Sequence, residues 1–214
     1  MTVDKPGKPL REGSATKRAS ILAAARELFL TDGFDRSSVD AVAAKAQVSK
    51  RTVYDYFGDK RALLLAVLEA TAQSLMDSVH LAISENLTEF DDLEMALVNF
   101  TVQIATTTMG SSDYSALWRL VSSESPHLPE LPDQMDTAPE EAVAERLAEF
   151  GRRGLLEVPD PRLAADHFIA LAFSPIFRNQ RLGRNLDSDR DDRLLVEGVR
   201  AFLRAYAPQP DKRR

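Results

Sequence analysis

The chain has 214 residues, a hydrophobic fraction of 44% and no cysteine. Such a chain can bury a sizeable core, either as one large domain or as a small domain beside a larger one. The absence of cysteine excludes disulfides, thiol catalysis and cysteine-based zinc sites. The first residues lack the apolar segment of a signal peptide, and we find no apolar run long enough to span a bilayer. We therefore expect a soluble, cytoplasmic protein with no membrane partner.

The formal net charge of −6 is unevenly distributed along the chain. Residues 1–62 contain twelve Lys and Arg against eight Asp and Glu, a balance of +4, which leaves −10 for the remainder. A basic end attracts a polyanion, and an acidic body repels it. The charge pattern therefore favours nucleic acid as a partner of the N-terminal part.

Residues 1–14 carry prolines and glycines among scattered charges, a composition typical of a flexible arm. An apolar stripe then predicts a helix from about Thr16 to Leu30. Gly33 suits the C-terminal cap of this helix, and Phe34 is expected to fold back onto it.

The stretch from residue 38 to residue 57 has the pattern of two short helices joined by a tight turn. The first, Val39 to Ala46, is apolar on one face. Ser37, three residues before Asp40, predicts a capping box at its start. Ser49 suits the N-cap of the second helix.

The second helix of this stretch has two different faces. Val53 and Phe57 are expected to point inward, while Lys50, Arg51 and Tyr54 share the outward side. Cations, hydroxyls and phenols on one side of a short helix suit the major groove of DNA, where they can reach base edges and phosphate oxygens. The stretch therefore predicts a helix-turn-helix.

Many ordered positions in the first third of the chain resemble a TetR-family transcriptional regulator. They are Ile21–Ala25, Leu28–Phe29, Asp32–Phe34, Ser37–Val39, Val48–Lys60 and Leu63–Leu64. Gln47 departs from the family, which commonly has glycine there, and a positive φ at this position would cost on the order of 1 kcal/mol. Asp55 is a second unusual residue, because a carboxylate on a recognition helix repels phosphate unless it pairs with a neighbour or with a cytosine amino group.

The resemblance implies an all-α protein with an N-terminal three-helix helix-turn-helix domain and a larger helical domain for ligand binding and dimerisation. We divide the chain into the arm at 1–14, the DNA-binding domain at 15–62, the regulatory domain at 63–206 and a tail at 207–214. By the resemblance, the tyrosines and Lys60 hold phosphates and Lys50 and Arg51 reach base edges. The full set of expected DNA-binding residues is Lys17, Ser38, Ser49, Lys50, Arg51, Thr52, Tyr54, Tyr56 and Lys60.

In the larger domain we expect a long fourth helix capped by Asp59 and helices near 89–108, 112–124, 137–153, 161–182 and 189–206. The last two form the dimer interface of such regulators, although they could instead close the core of the monomer. Pro175 should kink the first of this pair and free the carbonyl of Leu171. Phe202 lies mid-stripe on the second, so a charge there is expected to yield monomers or aggregates.

Bulky apolar residues in the larger domain are candidates for a pocket that binds a small hydrophobic or aromatic effector. The alternative is plain core, because such stripes at helical spacing more often pack together than line a pocket. The candidate ligand-binding residues are Met76, Phe100, Ile104, Tyr114, Trp118 and Phe168.

The three histidines lie far apart, and no metal-ligand spacing, nucleophile elbow or glycine-rich phosphate loop is present. We therefore expect neither an enzyme nor a cofactor or metal. The leading hypothesis is a ligand-responsive repressor that binds a palindromic DNA operator as a homodimer. The alternatives are a DNA-binding regulator controlled by a protein partner and, less favoured, an all-helical enzyme.

Overall fold

The computed structural model describes residues 12–111, 114, 138–181 and 189–208, and these residues contain helices and no strand. The prediction of an all-α protein is confirmed. The chain forms two compact units, unit 1 from Met1 to Thr71 and unit 2 from Ala72 to Arg214. The division lies within a helix, whereas the boundary inferred from sequence, between residues 62 and 63, lies near the start of that helix.

Unit 1 contains three helices and the beginning of a fourth. They are α1 (Glu12–Asp32), α2 (Val39–Lys45), α3 (Lys50–Phe57) and α4 (Lys60–Asn86), which continues past Thr71. The side chain of Asp59 accepts a hydrogen bond from the Ala62 amide at 2.7 Å, as expected for the cap of α4. The core of the unit is formed by Ile21, Ala24, Ala25, Phe29, Val39, Val42, Ala43, Val53, Leu63, Leu64, Val67 and Leu68.

Both ends of α1 are set by contacts at specific residues. Gly33 has φ +87°, its amide donates to the Phe29 carbonyl at 3.1 Å, and Phe34 packs edge-on against Phe29, all as predicted. The helix begins at Glu12 rather than Thr16, so residues 12–14, assigned to the arm, are helical. A tertiary contact accounts for the extra turn, because the Tyr56 hydroxyl donates to the Ser14 carbonyl at 3.2 Å. Residues 1–11 and 209–214 of the predicted arm and tail lie outside the described residues.

The start of α2 differs from the expected capping box. Its N-cap is Ser38, whose hydroxyl accepts from the Ala41 amide at 3.1 Å. Ser37 is buried, and its hydroxyl lies 2.7 Å from the Gly33 carbonyl and 3.1 Å from the Leu28 carbonyl. The prediction for Ser37 is wrong because its hydroxyl turns toward the carbonyls of Leu28 and Gly33, in the last turns of α1 and just after it, and so does not cap α2.

Unit 2 contains the rest of α4 and the remaining described helices. They are α5 (Leu93–Gln103), a π-helical turn (Ile104–Met109), α6 (Ala138–Arg152), α7 (Pro161–Ala172), α8 (Ser174–Arg181) and α9 (Asp189–Tyr206). Helix α7 packs between α6 and α9, and α9 also packs against α5. Phe100, Phe168 and Phe202 are fully buried at the centre of one continuous core. Apart from Tyr114, the predicted helix at 112–124 lies outside the described residues.

The single helix expected at 161–182 is broken into α7 and α8 at Phe173. Pro175 has no amide hydrogen, so the carbonyl of Leu171 loses its helical partner. Gly198 of α9 lies against that carbonyl, and a Cβ added at Gly198 would stand only 2.7 Å from the Leu171 carbonyl carbon and 2.9 Å from the Ala172 Cα. The predicted kink is confirmed, and it marks the point where the backbones of α7 and α9 touch.

The expectation that no apolar stretch is long enough for a membrane span needs correction. Within the described residues, α4 is long and apolar enough to cross a membrane by length and composition alone, with a mean hydropathy of 1.3. Glu69 and Asp77 interrupt its apolar run, which is why a search for an unbroken run misses it. Its apolar residues contribute to the cores of both units, at Leu63, Leu64, Val67 and Leu68 and at Val79, Ala82 and Ile83.

Phe202 is unsuitable as a probe of a dimer interface. Its side chain is fully buried within the monomer, with ring centroids 5.1 Å from Phe168 and 4.6 Å from Tyr206. The stripe to which it belongs faces the core of unit 2. A charge there would disrupt the fold of the monomer itself, so the expected monomers or aggregates would not identify the interface, and a dimer built on the last two helices stays a prediction.

Candidate DNA-binding surface

The turn between α2 and α3 follows from a few local hydrogen bonds. The Val48 amide donates to the Ala43 carbonyl at 3.0 Å, and Gln47 between the helices has φ +57°. Ser49 caps α3 as predicted, its hydroxyl accepting from the Thr52 amide at 3.0 Å. Gln47 thus occupies the left-handed conformation that glycine adopts without strain, and the cap fixes where α3 begins.

Helix α3 presents one face to the core and one to solvent. Val53 is 2% exposed, and Phe57 is half-buried beneath the guanidinium of Arg18. On the opposite face Lys50, Arg51 and Tyr54 are exposed, as the spacing predicts. The structure therefore brings these three predicted DNA-binding side chains together on one surface.

Each cation on this surface has a carboxylate near it. Lys50 Nζ lies 2.8 Å from Asp40 Oδ2 on α2, and Arg51 Nε lies 3.9 Å from Asp55 Oδ2 one turn along α3. The hydrogen bond to Asp40, reinforced by the opposite charge, raises the pKa of Lys50. Lys50 is thus held between two helices, whereas the Arg51 side chain is 90% exposed and able to reach outward.

The other candidates lie around this surface in varied settings. Ser49 and Thr52 hydroxyls are hydrogen-bonded to each other at 2.8 Å, and the Tyr56 hydroxyl is bonded to Ser14. Lys60 Nζ lies 4.2 Å from the centre of the Phe34 ring and 3.5 Å from the Asp35 carbonyl. Ser38 and Lys17 are exposed, on α2 and α1 respectively.

Sequence reasoning missed two residues of this surface. Asp40 was considered only as part of a helix start, yet its carboxylate pairs with Lys50. Arg18 was not considered, although it is exposed beside α3. Both positions lie on helices other than α3, so no spacing within the motif could have indicated them.

The residues predicted to line an effector pocket occupy mixed environments. Phe100, Ile104 and Phe168 are buried in the core of unit 2, while Met76 and Tyr114 are half-buried. Trp118 lies outside the described residues. Two surface cavities of unit 2, with volumes of about 390 and 470 Å³, are lined by none of these candidates. The first lies between α4 and α6 and has a polar wall that includes His80, Glu145, Arg146, Glu149 and Arg152.

The π-helical turn was not predicted from the sequence. Thr106 and Thr107 donate hydroxyl hydrogen bonds to the carbonyls of Val102 and Gln103, at 2.8 and 2.6 Å. Thr108 is buried, and its hydroxyl has no hydrogen-bond partner among the described residues. Such turns are often found at functional sites. This one includes Ile104, a predicted pocket residue, and its Thr108 hydroxyl is available to form a hydrogen bond. In the described ranges, no three His, Asp or Glu side chains are grouped to hold a metal ion.

Two family models match the chain. The model for bacterial regulatory proteins of the tetR family matches residues 21–67, and the AefR-like transcriptional repressor C-terminal domain matches residues 95–208. The second match covers more than half of the 214 residues. Together with the helix-turn-helix and its exposed recognition face, these matches define a DNA-binding transcriptional regulator. The chain belongs to the TetR family.

Relatives with curated descriptions match about a third of the chain. The DNA-binding transcriptional repressor TetR of Mycobacteroides abscessus is 42% identical over 64 residues, 30% of this chain and 34% of that protein. The transcriptional activator FasR of Mycolicibacterium smegmatis is 36% identical over 67 residues, 31% of each chain. The chain thus aligns with about a third of the length of these relatives.

Solved structures match along nearly the whole chain. A TetR-family regulator from Mesorhizobium loti is 27% identical, with a TM-score of 0.84 over 91% of this chain and 98% of that one. The flavonoid-responsive regulator FrrA is 28% identical, with a TM-score of 0.71 over 92% of this chain and 100% of that one. These matches, like the family models, are with transcriptional regulators rather than with enzymes.

Proposed function

We propose that this protein is a cytoplasmic, ligand-responsive repressor that binds a palindromic DNA operator as a homodimer. The observation that carries the proposal is the exposed face of α3, where Lys50, Arg51 and Tyr54 stand together on a capped helix with a buried back. A helix of this kind fits the major groove, where its N-terminal residues reach base edges. The positive balance of residues 1–62 supports binding to the phosphate backbone.

Within this surface we assign different roles to Arg51 and Lys60. Arg51 is the most exposed cation of α3, so it reads a base edge. Lys60 sits beside Phe34 at the start of α4, outside α3, and contacts phosphate. Lys17, Ser38, Ser49, Thr52, Tyr54 and Tyr56 complete the proposed contacts. Those whose hydroxyls already bond within the unit, such as Tyr56, would exchange these bonds for phosphate oxygens on binding.

The repressor assignment draws on the AefR-like repressor model and on the repressor from Mycobacteroides abscessus. The activator FasR is also a relative, so the sign of regulation must be measured. A reporter gene behind the operator would be silenced by the protein if it is a repressor. Increased expression on addition of the protein would contradict this assignment.

For the dimer we propose the outward face of α7, which exposes two large apolar side chains, Leu163 at 48% and Leu171 at 38%. A charge at Leu163 would be desolvated in such an interface but stays in water in a monomer. Sedimentation of Leu163→Asp should therefore show monomers. Met95→Asp is a matched control, because Met95 is 60% exposed on α5 and its variant should remain dimeric. A dimer that survives Leu163→Asp would exclude this face.

For the effector we propose a small hydrophobic or aromatic molecule bound among the central helices of unit 2, near Met76, Phe100, Ile104, Tyr114, Trp118 and Phe168. FrrA, a structural relative, is described as responsive to flavonoids, which supports an aromatic ligand. The effector would shift α4 and favour a conformation in which the two DNA-binding domains of the dimer are wrongly spaced for the operator. Operator affinity would then fall about 5–150-fold, a coupling of roughly 1–3 kcal/mol.

Two measurements separate this mechanism from control by a protein partner. A thermal-shift screen of aromatic compounds should find a ligand that raises the unfolding temperature by mass action. The same compound should weaken operator binding. In Trp118→Ala, ligand affinity should change while operator affinity without ligand stays nearly constant. Absence of any stabilising compound would favour a protein partner instead, and an unfolded variant would assign Trp118 to the core.

The decisive experiment for DNA binding is selection of bound fragments from random or genomic DNA. We expect a two-fold symmetric site with half-sites about 34–36 Å apart or a multiple of this, and strong salt dependence. Lys60→Ala should weaken all sequences alike, while Arg51→Ala should relax specificity at one position by about 1–3 kcal/mol. If both variants weaken every sequence equally, Arg51 does not read a base.

A further inference from the structure

The exposed face of α3 carries carboxylates as well as cations. Asp55 lies one turn after Arg51, and its side chain is 66% exposed. Asp40 stands at the start of α2 with a side chain that is 68% exposed, but its carboxylate is hydrogen-bonded to Lys50 at 2.8 Å. Of these two carboxylates, Asp55 is therefore the one whose oxygens are held only loosely, at 3.9 Å from Arg51.

A loosely held carboxylate on a helix that enters the major groove weakens binding to every DNA sequence, because it faces phosphates of the same sign. One kind of base edge can offset that repulsion. Cytosine presents its N4 amino donor and no acceptor of its own in the groove, whereas adenine presents N7, an acceptor that repels a carboxylate, beside its amino group. Guanine and thymine present acceptors in the groove and offer Asp55 no hydrogen bond.

The position of Arg51 adds a second constraint. Guanine offers the paired acceptors O6 and N7, which suit an arginine, and its partner in the base pair is cytosine. Arg51 and Asp55 lie on one side of α3, so a donor and an acceptor stand about one helical turn apart. This spacing suits two neighbouring base pairs, one with guanine acceptors facing Arg51 and the next with a cytosine amino donor facing Asp55.

We propose that Asp55 is a specificity-determining residue that accepts a hydrogen bond from a cytosine amino group in each operator half-site, beside the guanine read by Arg51. This inference rests on the proposed function, since it requires α3 to lie in the major groove. The predicted recognition element in each half-site is therefore a pair of neighbouring base pairs that includes G·C, and Asp55 discriminates against the other bases at the cytosine position.

The test uses the full chain and three variants in the selection of bound fragments from random DNA. Asp55→Ala should lose the cytosine preference at one position of each half-site, a preference we expect to be about 5–150-fold in the native protein. Asp40→Ala is the control for charge: it removes one negative charge from the same surface and releases Lys50, but it leaves the proposed contact of Asp55 with cytosine in place. Both variants should bind non-specific DNA somewhat more tightly, by at most about fivefold.

Asp55→Asn keeps the shape of the side chain and adds a donor. A carboxamide matches the N6 and N7 groups of adenine, so this variant should shift the preference from cytosine to adenine. If Asp55→Ala and Asp55→Asn select the same site as the native protein, the inference is overturned while the proposed function stands. If the native protein enriches no sequence, the proposed function fails and this inference with it.

Discussion

Two ion pairs of similar composition have opposite surroundings in the two units. Arg51 and Asp55 of unit 1 lie 3.9 Å apart with side chains 90% and 66% exposed. Arg178 and Asp191 of unit 2 lie 2.5 Å apart, and the aspartate side chain is 9% exposed. The second oxygen of Asp191 accepts a hydrogen bond from the buried Asn179 at 2.7 Å.

The difference shows that burial, rather than residue type, decides what an ion pair contributes. Water screens the exposed pair of unit 1, so it adds little to stability and leaves both groups accessible at the surface. The buried carboxylate of unit 2 has lost its water and depends on protein partners, which include Arg178 and Asn179. The ion pair of unit 1 is therefore exposed to solvent, whereas the ion pair of unit 2 joins α8 to α9.

The largest change in the free energy of unfolding is expected in the core of unit 2. Phe202→Ala should lower the free energy of unfolding by about 3–5 kcal/mol, because it leaves a cavity against Phe168. Denaturant unfolding followed by circular dichroism measures this. Arg204→Ala, at an exposed position of the same helix, is the control and should be nearly neutral. Equal effects for the two variants would mean that α9 does not pack as described.

Gly198 provides the second test. A methyl group there would meet the backbone of α7, so Gly198→Ala should destabilise the protein by about 3 kcal/mol, the upper end of the overpacking range. Gly13 lies in α1 with nothing within 4 Å of a built Cβ, and Gly13→Ala should leave stability unchanged or slightly higher. Thermal unfolding of both variants compares them directly. A stable Gly198→Ala protein would contradict the close approach of α7 and α9.

The two ion pairs can themselves be compared by the same substitution. Asp191→Asn should cost about 1–3 kcal/mol, a value reduced by the partial exposure of Arg178. Asp55→Asn should change the free energy of unfolding by no more than about 0.5 kcal/mol. Chemical denaturation of the two variants in parallel gives both values. Equal losses of stability in the two variants would contradict the contrast between the units.

The smallest expected effect lies in the turn of unit 1. Gln47→Gly removes the strain of a side chain at φ +57° and should raise stability by up to about 1 kcal/mol. Gln47→Ala retains a Cβ and should bring no such gain. Melting temperatures of the two variants, together with operator binding, check this prediction. A gain in the alanine variant would show that the backbone of the turn relaxes.

The sequence indicated local structure in unit 1 reliably because short-range chemistry determines it. The caps at Ser49 and Asp59, the positive φ at Gly33 and the outward side chains of α3 each depend on residues within one helical turn. The role of Ser37 was mispredicted, because its hydrogen-bond partners are the carbonyls of Leu28 and Gly33 rather than groups of α2. The roles of the candidate DNA contacts and the domain boundary at 62–63 remain predictions.

In unit 2 the sequence predicted helices and their apolar stripes but not what those stripes face. Phe202 was expected on the stripe of a dimer interface, with the monomer core as the alternative, and its contact with Phe168 of α7 places it in the core. The first turn of α9 has three aspartates, Asp189, Asp191 and Asp192, and nothing in the sequence marks Asp191 as the one buried against Arg178 and Asn179. Long-range packing distinguishes such residues, and helical spacing alone carries no information about it.

The contact between Gly198 and the Leu171 carbonyl limits how α7 and α9 can move against each other. The neighbours of Gly198 in α9 all carry a Cβ, so translating α9 along its axis would drive a side chain into the backbone of α7. The ring of Phe202 meets Phe168 one turn away, so the register of the two helices is fixed at two points. A shift of one helix along its axis would therefore have to carry the other with it.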